Sequence, residues 1–127
     1  MKIEISRALV DQMIAHAAHS SHVEVCGLLF GEGRRVVATM ACANIADDPA
    51  TSFEIDPAAL IAAHKGARAG GANVIGCYHS HPNGDFALSE RDRVNAYEGQ
   101  IWVLIARHQV GAWVMQDGEW ADFQQLT

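Results

Sequence analysis

Several features that would settle the class of this 127-residue chain at once are missing from it. No apolar run approaches the ~20 residues that a membrane-spanning helix needs, so no membrane association is expected. The three cysteines, Cys26, Cys42 and Cys77, are an odd set with no C-x-x-C pair, which disfavours a disulfide framework and a cysteine-rich zinc knuckle alike. Positive charge is scarce, with 9 Lys+Arg against 15 Asp+Glu and a net charge of −6. This is opposite in sign to the footprint of phosphate-backbone binding, so nucleic acid is not an expected partner. Internal repeats, low-complexity tracts and linkers are also lacking, and one continuous domain over residues 1–127 is expected. A domain of that size buries roughly two-thirds of its unfolded surface and holds a core without staples. Glu4, Arg7 and Asp11 interrupt the amino-terminal region before a signal-peptide core could form, so a cytoplasmic location is expected.

What the sequence does have is seven histidines and an interspersed series of helix and strand signals. Ile3–Ile5 reads as a short strand, and Ser6 caps a helix from Arg7 to His19 whose Leu9, Val10, Met13, Ile14 and Ala17 share an apolar face. Gln12, His16 and His19 fall on the opposite face and read as solvent residues. The runs 25–31 and 36–43, separated by Glu32-Gly33, form a plausible hairpin. After a polar loop, Asp56-Pro57 starts a second helix that ends at Gly70-Gly71. Val74–His79 is a further strand, and Ser89 opens a helix to about Glu98. The segments 101–106, 110–115 and 120–123 close the chain as strands, with Asp117-Gly118 as a hairpin turn. The alternation is not the regular one of a doubly wound fold, so the expected class is α+β, a mixed sheet flanked by helices.

The chemistry concentrates in one stretch, His79-Ser80-His81-Pro82 followed by Ser89-Glu90-Arg91-Asp92. On an extended chain residues i and i+2 share a face, so His79 and His81 can present both imidazoles to one metal. Asp92 lies one turn into the helix that Ser89 opens, so both side chains can project from its amino-terminal end. Two histidines and a carboxylate leave a fourth tetrahedral position open, the mark of a catalytic zinc site. Such a site still needs a base to accept a proton. A plainer reading also fits Ser89 and Asp92, since S-x-x-D is a capping box, and a bare H-x-H is weak by itself. The combination at fixed spacing is stronger than its parts.

These residues, in H-S-H-P-x6-S-x-x-D preceded by V-I-G-C-Y and by E-V-C-G-L-L-F-G around Glu24, resemble the JAMM/MPN+ family of zinc metalloproteases. Asn44, Asp48-Pro49 and the run from Phe53 to Pro57 also look like that family's loop and second helix. The resemblance implies a partly closed mixed sheet packed with helices, an MPN architecture of cytidine-deaminase-like kind. It implies one Zn2+ per chain held by His79, His81 and Asp92, with Glu24 activating the metal-bound water and Ser89 helping to stabilise the oxyanion. Leu88 departs from the family's usual proline before the serine, which changes loop stiffness and no ligand. The implied reaction is hydrolysis of a peptide or isopeptide bond at the small-residue carboxyl-terminal tail of a ubiquitin-like or sulfur-carrier protein. The alternative is a non-catalytic MPN scaffold, and the complete set of metal residues argues against it. Exposed edges of a mixed sheet leave a homodimer open. Cys77 shares strand parity with His79, so it either faces the site or fills core beneath it; Cys26 reads as core, and Trp102, Trp113 and Trp120 as core or interface.

Overall fold

The computed structural model describes residues 2–127. Three helices and six strands follow in the order α1 (Arg7–Ala18), β1 (Cys26–Glu32), β2 (Arg35–Cys42), α2 (Pro57–Arg68), β3 (Asn73–Ser80), α3 (Glu90–Asn95), β4 (Ile101–Ala106), β5 (Gln109–Gln116) and β6 (Glu119–Gln125). The strands form a single sheet in the order β2-β1-β3-β4-β5-β6. Only β3 and β4 run parallel, joined through α3, and every other neighbouring pair is antiparallel. This is the mixed α+β sheet expected from the interspersed signals.

Local chemistry sets the elements. Ser6 Oγ accepts from the Leu9 amide and starts α1, and Asp56 caps α2 with Pro57 at the first helical position, where its missing N–H costs nothing. Asp117 and Gly118 both take positive φ, the geometry of a tight hairpin turn between β5 and β6. Alternation along the strands then divides the sheet into two faces. On one, Val10 and Met13 of α1 pack against Leu29, Tyr78, Val103, Ile105 and Val110 as a sealed apolar core. Tyr78 lies flat across Gly27, where a Cβ would come within 2.2 Å of the Tyr78 ring, and its hydroxyl meets His16 Nδ1 at 2.7 Å. His16 is thus half-buried against the sheet rather than a solvent histidine. The helical wheel misplaced it because a tyrosine hydroxyl rises from the core to meet a polar side chain at the border.

Two further boundaries differ from expectation. Ile3–Ile5 makes one isolated bridge, Glu4 to Arg35, rather than a strand. It acts as a clasp instead. The Glu4 amide donates to the Arg34 carbonyl and the Val36 amide to the Glu4 carbonyl, while the Gln124 side-chain amide exchanges two hydrogen bonds of 3.0 Å with the Ile3 backbone. The two edge strands are tied through this segment, reinforced by an Arg34–Asp122 ion pair at 2.9 Å, which gives the partly closed sheet. Helix α3 stops at Asn95, short of Gly99, because Ala96 turns extended. No helix among the described residues is long and apolar enough to cross a membrane.

Candidate metal centre

The second face of the sheet carries His79 at the end of β3, with His81 two residues on. Pairing of β1 with β3 places Cys26 opposite His79, and this brings Glu24, just before β1, to the same corner. The join is fixed by the residue between the histidines: Val25 N–H donates to Ser80 Oγ at 2.9 Å, and Ser80 N–H to the Val25 carbonyl. The sequence reading gave Ser80 no role, since a serine between two ligand candidates carries no spacing signal.

Four titratable side chains meet here, all buried: Glu24, His79, His81 and Asp92. His79 Nε2 lies 3.2 Å from His81 Nε2 and 3.1 Å from Asp92 Oδ2, and His81 Nε2 lies 3.5 Å from the same oxygen. One ligand atom each from Glu24, His79 and His81 falls within 4.8 Å of the others, a group able to hold a metal ion. Asp92 arrives from α3, whose first turn is the capping box read from sequence: the Asp92 amide donates to Ser89 Oγ and the Ser89 amide to Asp92 Oδ2. The capping and site readings of Ser89 and Asp92 therefore coexist, with one carboxylate oxygen shared between the helix start and the histidines.

The donor set fits a metal. His81 Nδ1 sits 2.9 Å from the Asp85 carbonyl, which can only accept, so Nδ1 carries a proton, and in the neutral ring the Nε2 lone pair faces Asp92. Two acceptors facing each other at 3.5 Å call for positive charge between them, either a proton or a cation. A tetrahedron with edges of this size has its vertices about 2 Å from its centre, the distance of metal–imidazole and metal–carboxylate bonds. Glu24 Oε1 is also buried with no hydrogen-bond partner among the described residues.

Electrostatics follow the geometry. Burial pushes the Glu24 carboxyl up to about 7, partly offset by His81. Burial likewise depresses His79. Burial also pulls on His81, but its bonds to Asp92 and the Asp85 carbonyl leave it above its ordinary value. Asp92 is buried too, yet donors from His79, His81 and Ser89 hold it well below the usual carboxylate range.

Beside the centre runs a groove of about 870 Å³, lined among others by Phe53, Cys77, Arg91, Tyr97 and Trp102. Cys77 is buried and lines this groove. Phe53 stacks on the His79 ring, with centroids 4.4 Å apart, and touches Trp102 edge-on. His64 also lines the groove. Of the tryptophans only Trp102 is fully buried; Trp113 and Trp120 are half-buried. Trp113 packs in tilted contact with Phe86 and Phe123. A Cβ at Gly111 would come within 2.8 Å of Phe86 and Phe123, so that glycine seats the loop carrying Asp85.

Residues 6–120 match the family model described as prokaryotic homologs of the JAB domain. The chain belongs to this family. Among relatives, a Haloferax volcanii protein named desampylase is 32% identical over 101 residues, covering 74% of this chain and 73% of that one. A Thermus thermophilus protein named probable TtuB-protein conjugate cleaving protease is 30% identical over 115 residues, covering 91% and 77%. A Pyrococcus furiosus desampylase is 31% identical over 112 residues, covering 82% and 75%. Solved structures agree on the JAB fold. A Desulfitobacterium hafniense protein superposes with TM-score 0.77 at 22% identity, covering 98% of this chain and 89% of the other. A JAB1/MPN domain protein from Archaeoglobus fulgidus gives 0.60 at 18% identity, covering 95% and 93%.

Proposed function

We propose that this protein is a zinc-dependent peptidase or isopeptidase that cuts at the carboxyl-terminal tail of a ubiquitin-like or sulfur-carrier protein. The observation that carries this is the buried triangle of His79 Nε2, His81 Nε2 and Asp92 Oδ2, with edges of 3.1 to 3.5 Å, beside the unpartnered Glu24 oxygen. The names of the relatives support the substrate class, because a desampylase and a conjugate-cleaving protease both denote removal of a protein tag.

In this reading His79, His81 and Asp92 hold the ion, and Glu24 stays free for proton transfer. Zinc bound by this donor set supplies Lewis acidity and brings the ionisation of water close to neutral pH. Glu24 Oε1 takes the proton of the attacking water and returns it to the leaving amine. A single carboxylate that accepts the proton and then gives it up serves both halves of that transfer. Ser89 Oγ, anchored at the start of α3, donates to the oxyanion as the carbonyl becomes tetrahedral. The groove lined by Phe53, Tyr97 and Trp102 accepts an extended tail with small side chains. The domain works as one unit in the cytoplasm.

The test is cleavage of ubiquitin-like carrier fusions with Glu24→Gln as control. The expected result is tail cleavage by the metal-loaded wild type and a loss of about 10²- to 10⁴-fold in the variant at unchanged zinc content. Full turnover by Glu24→Gln removes it as the base, and a zinc-replete protein that binds no metal leaves the scaffold reading in its place.

A further inference from the structure

The Asn44 side chain, half-buried at the end of β2, uses its whole hydrogen-bonding capacity. Nδ2 donates to the Glu24 carbonyl at 2.9 Å and the Ser52 carbonyl at 3.0 Å, and Oδ1 accepts from the amides of Ala46 and Glu54, both at 3.0 Å. Two carbonyls on one side and two amides on the other allow only this orientation of the amide. The other backbone group of Glu24 is also tied to the same loop, its N–H donating to the Pro49 carbonyl at 2.7 Å. Glu24 precedes β1, so no strand partner fixes its backbone; the loop 44–54 does so instead.

The second carbonyl on Nδ2 matters as much as the first. Ser52 is buried and is followed directly by Phe53, the ring stacked on His79. One nitrogen atom therefore sets the position of the Glu24 backbone relative to the residue that packs against His79. The Glu24 side chain has no hydrogen bond to hold Oε1, so its aim depends on where its backbone is placed.

We propose that Asn44 is a positioning residue that registers Glu24 against the His79 corner of the site. The inference rests on the assignment of Glu24 as the base. Asn44 bonds none of the metal ligands' donor atoms and does not itself line the groove, although its partners Ala46, Ser52 and Glu54 do, so its effect on Glu24 is read in kcat and in the double variant rather than in KM. Displacement of a reacting group by about 1 Å costs on the order of 10²-fold in rate.

Two variants separate the possibilities. Asn44→Ala removes all four bonds, whereas Asn44→Asp keeps both accepted bonds of the loop and loses the donation to Glu24 and Ser52, so it remains informative where the alanine variant unfolds. The expected result for Asn44→Asp is a fall in kcat of about 10- to 100-fold, larger than any change in KM, with bound zinc unchanged. In metal-free protein, hydrogen exchange at the Glu24 amide accelerates. Combined with Glu24→Gln, the substitution causes no further loss of residual turnover, because the group it places is already gone. Wild-type kcat, unchanged Glu24 exchange, loss of zinc, or losses that multiply in the double variant each overturn the proposal. An inactive Glu24→Gln beside a fully active Asn44→Asp rejects the positioning role alone; a fully active Glu24→Gln rejects the base assignment and the positioning role with it.

Discussion

The two faces of the sheet follow opposite rules. Under α1, Val10, Met13, Leu29, Val103 and Val110 are each no more than 2% exposed, and the polar pair at its border, His16 and Tyr78, satisfies itself at 2.7 Å. On the other face four titratable groups are buried together, and Glu24 Oε1, His79 Nδ1 and Trp102 Nε1 have no hydrogen-bond partner among the described residues. An unpaired buried polar atom costs about 1–3 kcal/mol, so the second face opposes folding and the first must offset it. Adjacent residues of β3 serve both: Tyr78 points into the sealed core and His79 into the site.

Removing the metal should break the contrast most strongly. A ligand present at a thousand times its dissociation constant adds about 4 kcal/mol to stability, so chelation should lower the melting temperature clearly. His79→Ala should abolish that shift, and a chelator-sensitive melt in the variant would refute the ligand assignment. Met13→Ala probes the opposite face: loss of a fully buried side chain should cost about 3 kcal/mol, while kcat below the transition stays at the wild-type value. Tyr78→Phe should cost about 1–2 kcal/mol by stranding His16 Nδ1. Turnover should be unaffected although the next residue is His79, and a drop in kcat at full folding would show that the faces are coupled.

The smallest effect concerns pH. Burial holds His16 below its ordinary value of 6.5, with His19 adding to the shift. Its folded pKa is lower than its unfolded one, so protonation favours the unfolded chain. Its contribution is present above about pH 6.5 and is lost as pH falls through the folded value. The melting temperature of wild type relative to His16→Gln should therefore decline from pH 7.5 to 5.5, and a rise would contradict the burial of His16.

Much of this contrast is legible in the sequence, because strand parity separates Tyr78 from His79 and the capping residues Ser6, Asp56 and Ser89 mark their helices. The spacing of the candidate ligands is local as well: His79, His81 and Asp92 lie on consecutive elements, so extended and helical periodicities bring them together on paper. Glu24 is different. Its approach depends on β1–β3 pairing across more than fifty positions, which no local period encodes, and only the resemblance to a known motif connects it. Ser80 makes its contact between elements with no signal in its spacing, and Asn44 and Phe53 stand out only through the same resemblance, which does not tell what they touch. The shortened α3 has a plainer cause, since Ala96 leaves the helix although its own propensity would continue it.

The clasp at Ile3 joins partners 121 residues apart in the chain. Such a contact bears the full entropy of loop closure until the sheet between its ends has formed, so it is a late event in folding. The reverse order holds for unfolding. The clasp rests on a few hydrogen bonds at the rim, and the Ile3 amide should exchange through a local opening while the amides of β3 and β4 wait for global unfolding. Such an opening uncovers both edge strands at once, which makes the bridge at residues 3–5, rather than the histidine corner, the gatekeeper against strand-to-strand aggregation.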